Sequence, residues 1–159
     1  MSNNQITPGK GLIMKTASVL LSLLLLPAIA VQDHDGTWKL NSGKSDTGEY
    51  QPPQMTMKVT SRGAEFDVLQ TTESGDLLLK FRSDGKEAVN QLPGGAVMRS
   101  THRVEDDAMI GEYRITAPEG PIKQFDRITY TTDGKTMTMD REIKTSQGAF
   151  KMKLVFDRQ

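Results

Sequence analysis

The sequence predicts an all-β protein, a small antiparallel up-and-down β-barrel of about eight to ten strands that follows a signal peptide. Two observations support this fold class. Turn signals, most of them glycine or proline beside a polar residue, recur about every ten residues from Gly43 to Gly148. No helical stretch of about ten residues lies between them, and short strands at such regular spacing are typical of sandwiches and barrels.

The first 30 residues have the pattern of an export leader. A lysine at position 15 is followed by an apolar run over 17–26, and the run ends before the small-x-small cleavage pattern Ala28-Ile29-Ala30. The run is about ten residues long, whereas a bilayer span needs roughly 20. We therefore predict a signal peptide over residues 1–30, with Met14 as an alternative start, and a secreted or periplasmic protein.

The remaining chain, residues 31–159, has the size of one domain with its own core. The leader holds two of the 20 basic residues and none of the 20 acidic ones, which leaves a net charge of −2. This balance excludes a strongly basic nucleic-acid surface. The chain has no cysteine, so disulfides, thiolate metal sites and a lipid-anchoring cysteine are excluded. We expect a monomeric barrel with no transmembrane span once the leader is removed.

Period-two alternation assigns the side chains of each predicted strand to two faces. In strands 135–144 and 149–157 one of the two faces is mostly apolar and is therefore interior. The Asp133-Gly134 pair between strands 122–132 and 135–144 predicts a tight hairpin, because glycine readily adopts a positive φ. The residues predicted to point inward are Met55, Met57 and Val59, then Leu77, Leu79 and Phe81, then Met137, Met139, Arg141 and Ile143, and last Phe150, Met152, Leu154 and Phe156.

Sequence motifs bracket the predicted barrel. Gly36-Thr37-Trp38-Lys39-Leu40-Asn41 opens the first strand, and Phe156-Asp157-Arg158-Gln159 ends the chain. The opening resembles that of lipocalins and fatty-acid-binding proteins, the calycins. Together with the late Asp133-Gly134-Lys135-Thr136-Met137-Thr138, the two ends resemble an uncharacterised lipocalin-like (calycin-type) family of exported bacterial proteins, to which no activity is assigned. The resemblance implies that Trp38 closes one end of the barrel and that Arg158 packs over it.

Two features differ from the intracellular fatty-acid-binding proteins that the opening resembles. Those proteins follow the first strand with a helical lid, whereas segment 48–53 contains Pro52-Pro53, which disfavours helix. We therefore expect no lid. Those proteins also carry an Arg-x-Tyr pattern in the last strand, and the corresponding positions here are Leu154 and Phe156.

Polar residues at inward positions are the candidates for a binding site. Those predicted by alternation are Ser100, His102, Gln124, Asp126, Tyr130 and Arg141. An unpaired buried charge is costly, so Arg141 requires a partner. Either Arg141 pairs with Asp126 or lies at the wet rim, or it holds a ligand's anionic head together with His102 and Tyr130. The ligand-binding candidates are therefore Arg141, His102 and Tyr130, with Met139 and Phe150 as apolar contacts.

Metal and catalytic chemistry have little support in the sequence. Asp33-His34-Asp35 carries oxygen and imidazole ligands, but it falls in a segment expected to be a solvated tail. Methionine pairs at 55 and 57 and at 137 and 139 could suit Cu(I), although methionine more often fills gaps in cores. Neither a nucleophile motif nor a phosphate-binding loop is present. We predict no metal, no cofactor and no catalytic residue.

Three functions from different classes remain open. The leading hypothesis is an exported non-enzymatic barrel that binds a small hydrophobic or amphipathic ligand in its interior. The second is a filled barrel that acts through its surface as an envelope interaction or structural module. The third is an envelope enzyme, which requires titratable groups that converge in one pocket. A barrel of about eight strands is only just wide enough for one small ligand, so filled and hollow interiors are both possible.

Overall fold

The computed structural model describes residues 34–118 and 120–159, and the predicted signal peptide lies outside this range. The described chain folds into ten strands and one short 3-10 turn, Pro93–Gly95. The strands are β1 (Gly36–Leu40), β2 (Met55–Arg62), β3 (Glu65–Thr72), β4 (Gly75–Arg82), β5 (Ala88–Gln91), β6 (Val97–Glu105), β7 (Ala108–Ala117), β8 (Gly120–Thr132), β9 (Thr136–Thr145) and β10 (Gly148–Arg158). No helix in this part of the chain is long and apolar enough to cross a membrane.

Every strand pairs antiparallel with its neighbours, in the order β4-β3-β2-β1-β10-β9-β8-β7-β6-β5. The first and last strands therefore meet in the middle of the sheet, where Trp38 lies opposite Arg158. The sheet curls until β4 approaches β5, which produces a nearly closed up-and-down barrel. The predicted fold class is confirmed, with ten strands at the upper limit of the expected number.

A side chain links the two strands that do not share a ladder. The backbone N–H of Lys80 in β4 donates to Oδ1 of Asn90 in β5 at 2.8 Å, and the Asn90 side-chain amide donates to the Lys80 carbonyl at 2.9 Å. The Asn90 amide thus makes the same pair of hydrogen bonds that a facing peptide group makes in a ladder. We call this junction between β4 and β5 the seam.

The antiparallel order places the chain connections alternately at two ends of the barrel. The end that carries the β8–β9 hairpin and Arg158 is called the base, and the end that carries the β1–β2 connection, residues 41–54, is called the mouth. The predicted Asp133-Gly134 hairpin is confirmed at the base, where Gly134 has φ +84°. The side chains of β2, β4 and β9 that were predicted to point inward do so, since Met57, Leu79 and Met139 are buried.

Trp38 fills the base as the sequence predicts. Its side chain is fully buried, and its indole N–H donates to the His34 carbonyl at 2.8 Å. The guanidinium carbon of Arg158 lies 4.5 Å from the centre of the indole ring. A cation over an aromatic face is attracted by the negative charge of the ring's π-electrons. Trp38 therefore closes the base. Its N–H is hydrogen-bonded, and the guanidinium of Arg158 covers the face of its ring.

The start of the described chain corrects one expectation. His34 is buried, and Asp35 accepts a 2.6 Å hydrogen bond from the Ser61 hydroxyl. The expected solvated tail is therefore wrong for these two residues, because the indole of Trp38 and the β2 strand hold the chain against the barrel. Among the described residues, no group of three or more acidic or histidine side chains could hold a metal ion.

The connection at the mouth lacks the helical lid, as expected. Residues 41–54 contain no helix, and the segment instead runs beside β10. Asp46 and Lys153 exchange both backbone hydrogen bonds, at 2.8 and 2.6 Å, and the Ser45 hydroxyl accepts from the Val155 N–H at 3.0 Å. The connection therefore crosses one side of the mouth as a strap rather than covering it.

Candidate ligand-binding cavity

The barrel interior contains a cavity of about 360 Å³. Its lining comes from most of the strands and, at the mouth, from Tyr50, Pro52 and Pro53 of the strap. Tyr50 is exposed to solvent, so the cavity reaches the surface at this end. Ligand sites in proteins commonly enclose roughly 300–1,000 Å³, and this cavity lies at the small end of that range. The interior is therefore hollow rather than filled.

Most of the lining is apolar, and methionine is its most frequent residue type. Methionine side chains are flexible and polarisable, so they adapt to ligands of irregular shape. Both methionine pairs considered for Cu(I) belong to this surface. The six methionines that line the cavity are Met55, Met57, Met98, Met109, Met137 and Met139.

An ion pair lies on one side of the cavity. Nη2 of Arg141 in β9 donates to Oδ2 of Asp126 in β8, and both residues line the cavity. The other carboxylate oxygen of Asp126 accepts from the Gln124 side-chain amide at 2.9 Å. The Asp126 residue is 3% exposed, whereas the Arg141 side chain is 23% exposed. Of the two pairings proposed for Arg141, the one with Asp126 is confirmed.

A chain of hydrogen bonds between side chains lies beside the ion pair. The Tyr130 and Tyr113 hydroxyl oxygens are 2.5 Å apart, and the Tyr113 hydroxyl lies 2.7 Å from Nε2 of His102. Burial raises the pKa of Tyr130 to about 12 and that of Tyr113 well above its ordinary value. Burial also lowers the pKa of His102 to about 4. All three side chains are therefore neutral near pH 7. We call them the tyrosine relay.

The register of the strands brings the ion pair and the tyrosine relay together. Tyr113 faces Asp126 directly across β7 and β8. Tyr130 faces Met139 across β8 and β9, one inward position away from the pair formed by Ile128 and Arg141. Directly opposed residues lie on the same face of the sheet. We call the ion pair and the tyrosine relay together the polar wall.

Three polar atoms in or beside the polar wall are buried and have no hydrogen-bond partner among the described residues. They are Nε of Arg141, Nδ1 of His102 and Oγ of Ser100. A buried polar group without a partner costs about 1–3 kcal/mol. The polar wall therefore retains hydrogen-bonding capacity at a cost in stability.

Gly111 makes room for the tyrosine relay. A Cβ atom at this position would lie 2.8 Å from the Tyr113 hydroxyl and 2.9 Å from the His102 ring. Both distances are shorter than a van der Waals contact allows. Glycine inside a strand often marks such a close approach. Neither Gly111 nor Tyr113 was among the predicted site residues, although a glycine within a strand pattern, followed two residues later by an inward tyrosine, indicates such a close approach.

The structure separates the five candidate ligand-binding residues. Arg141, Tyr130 and Met139 line the cavity. His102 lies behind Tyr113 at the end of the tyrosine relay and is buried.

Phe150 lies apart, 49% exposed near the mouth and outside the cavity lining. Phe150 does lie on the inward face, opposite buried Ile143 of β9, but it is exposed because β10 extends past β1 on its other side. β1 reaches only the last residues of β10, and the strap extends that cover only to Lys153.

Ten up-and-down strands that curl around an interior cavity define a calycin-type β-barrel, the fold of lipocalins and fatty-acid-binding proteins. The chain is similar to solved structures of this class. Neither a protein-family model nor a curated protein sequence matches it.

Three solved structures illustrate the similarity. Apo lipid binding protein 8 from Caenorhabditis elegans has a TM-score of 0.61 and 12% identity, and the match covers 80% of this chain and 96% of that chain. A fatty acid binding protein from Schistosoma mansoni, solved with arachidonic acid, has a TM-score of 0.59 and 16% identity over 82% and 98% of the chains. A secretary abundant heat soluble protein from Ramazzottius varieornatus has a TM-score of 0.63 and 8% identity over 80% and 96%. At these identities the similarity establishes the fold alone.

Proposed function

We propose that this protein is an exported, non-enzymatic carrier that holds one small hydrophobic or amphipathic molecule inside its barrel. The observation that supports this most directly is the 360 Å³ cavity, whose lining is mostly apolar and carries the polar wall on one side. Such a surface fits a molecule with an apolar body and a single polar end. Similar barrels bind fatty acids, as the Schistosoma mansoni protein with arachidonic acid does. The leader pattern over residues 1–30 supports export.

Within this proposal, Arg141 and Tyr130 contact the polar end of the ligand, and Met139 contacts its apolar body. His102 acts indirectly, because it holds the Tyr113 hydroxyl that in turn contacts Tyr130. Phe150 has no part in it. The filled barrel that acts through its surface has no support, because the interior contains a cavity.

A pair of adjacent leucines offers a matched test of interior binding. Leu79 is buried and lines the cavity, whereas Leu78 on the opposite face of β4 is 51% exposed. Titration with the uncharged fluorophore N-phenyl-1-naphthylamine should show saturable uptake by the wild-type protein. Leu79→Trp should weaken that uptake at least about tenfold, because the added side chain occupies the cavity. Leu78→Trp makes the same change on the outer face and should leave it unaltered.

Circular dichroism of both variants checks that each has folded. Absence of saturable uptake by the wild-type protein contradicts the proposed function. Equal loss of uptake in folded Leu78→Trp and Leu79→Trp also contradicts it, because binding then occurs on the surface. Native mass spectrometry of protein purified from its own host should reveal a small molecule that copurifies with the barrel.

A further inference from the structure

We propose that the polar wall selects a neutral amphiphile, with a hydroxyl, ester or amide as its polar end, over a molecule with an ionised carboxylate; this selectivity rests on the carrier function proposed above. Among the described residues, the acidic and basic side chains that line the cavity are Arg141, Asp126 and His34, and His34 lies at the base beside Trp38, apart from the polar wall. Arg141 and Asp126 form an ion pair with each other, so the polar wall has no net charge.

The ion pair leaves Arg141 poorly suited to bind a second carboxylate. Asp126 is nearly fully buried and bonds directly to the guanidinium, so any anion that reaches Arg141 also approaches the Asp126 carboxylate. Like charges repel strongly where water is largely excluded. A ligand carboxylate would also lose its hydration on entry. Attraction to Arg141 and repulsion from Asp126 largely cancel, so nothing in the polar wall compensates for that loss.

The other strands supply no second lysine or arginine to the cavity lining, among the described residues. Lysine and arginine side chains of β10 point outward or lie at its ends, and its buried residues are Met152, Leu154, Val155 and Phe156. The arginine at the base, Arg158, lies over Trp38 and is not part of the cavity lining. Among the described residues, Arg141 is therefore the one lysine or arginine that a ligand anion would meet in the cavity, and Arg141 already has its counter-charge.

The tyrosine relay suits a neutral polar group. A hydroxyl both donates and accepts, so the hydrogen bonds between Tyr130, Tyr113 and His102 can run in either direction. Nδ1 of His102 has no partner among the described residues, so neither tautomer of the neutral ring is fixed by a hydrogen bond at that atom. In one direction Tyr130 donates to a ligand carbonyl, and in the other it accepts from a ligand hydroxyl. Neutral hydroxyl, ester and amide groups use these options without placing a charge in the cavity.

Three ligands with straight apolar chains of nine or ten carbons separate the alternatives. At pH 8, where decanoate is ionised, 1-decanol, 1-monodecanoylglycerol and decanoate should each be tested for displacement of N-phenyl-1-naphthylamine. We expect the two neutral ligands to bind the wild-type protein at least about tenfold more tightly than decanoate. Decanoate that binds as tightly as 1-decanol overturns the inference.

Asp126→Asn removes the counter-charge and keeps the shape of the side chain. In this variant decanoate should bind at least about tenfold more tightly than it binds the wild-type protein, because Arg141 then lacks an anion. The ratio of the decanoate affinity to the 1-decanol affinity should therefore rise at least about tenfold. Asp140→Asn is the matched control, since Asp140 precedes Arg141 in β9 but is exposed on the outer face. A folded Asp126→Asn variant that leaves the decanoate affinity unchanged overturns the inference.

The pH dependence of decanoic acid binding tests the same inference on the wild-type protein, without relying on a variant that must fold. If only the neutral form of decanoic acid enters, its apparent affinity should rise about tenfold for each pH unit between pH 8 and pH 6.5. An affinity that stays constant or falls over this range overturns the inference. Saturable uptake of the fluorophore together with a preference for decanoate refutes the selectivity alone, whereas absence of uptake refutes the carrier function as well.

Discussion

The base of the barrel and the polar wall of its cavity each contain an arginine, but the two regions treat their polar groups differently. At the base, Arg158 covers the Trp38 ring and the indole N–H is hydrogen-bonded. In the polar wall, Nε of Arg141 and Nδ1 of His102 are buried without a hydrogen-bond partner in the described chain. Satisfied groups add to the free energy of unfolding, and unsatisfied groups subtract from it. The base therefore provides stability, whereas the polar wall retains unused hydrogen-bonding groups.

The largest expected effect tests the base. Trp38→Ala should lower the free energy of unfolding by about 3–5 kcal/mol, because it leaves a cavity where a fully buried aromatic side chain packs. Urea unfolding followed by circular dichroism measures this loss. Arg158→Met, which removes the cation over the ring, should cost at least about 0.5–1 kcal/mol. A Trp38→Ala variant destabilised by less than about 1 kcal/mol contradicts the stabilising role of the base.

The next effect tests whether the ion pair is structural. Arg141→Met leaves the Asp126 carboxylate buried without its partner, which should destabilise the protein by about 3 kcal/mol, the lower end of the usual range, because Arg141 is partly exposed. The double variant Arg141→Met with Asp126→Leu should recover much of this loss, since it removes both charges. Thermal and urea unfolding of the two single variants and the double variant measure the coupling. Additive losses show that the two side chains do not interact.

A third effect, smaller than the loss expected from Arg141→Met, is a pH dependence that belongs to the polar wall. Burial lowers the pKa of folded His102 to about 4, from the ordinary value of 6.5, so the unfolded chain binds a proton in a pH range where the folded protein does not. Stability from this group is complete above about pH 6.5 and decreases as the pH falls toward 4. Between pH 7.5 and pH 5 the loss should be about 2 kcal/mol.

His102→Gln is the control for this pH dependence, because glutamine can bond to Tyr113 but does not titrate. Urea unfolding of the wild-type protein and of this variant at several pH values isolates the histidine contribution. Equal slopes of stability against pH in the two proteins contradict the role assigned to His102. No change of this kind is expected from the base variant Arg158→Met.

The barrel could be predicted because its strands and turns are specified by short stretches of sequence. Alternation in β9 and the Asp133-Gly134 turn each depend on a few adjacent residues, and the prediction that Trp38 lies beneath Arg158 came from motifs at the two ends of the chain. The ion pair was predicted only as one of two options. A strand pattern indicates that Arg141 and Asp126 face inward, but the register between β8 and β9 determines whether they meet.

The remaining features of the site depend on distances across several strands. Tyr113 joins Tyr130 to His102 through three strands, β6, β7 and β8, and no spacing in the sequence encodes that contact. Phe150 follows the alternation and pairs with β9, but β1 does not extend along the other side of β10 at that point, so its exposure depends on the length of β1. The size of the cavity depends on the packing of all inward side chains together.

The seam has a consequence for how the protein behaves at high concentration. β4 and β5 are the two edge strands of the sheet, and edge strands present unpaired backbone groups that can template pairing with another chain. In this barrel the two edges face each other, and the Asn90 amide bonds to the backbone of β4 in place of a foreign strand. We therefore expect Asn90 to protect the protein against edge-to-edge aggregation, and its replacement by an apolar residue to promote self-association.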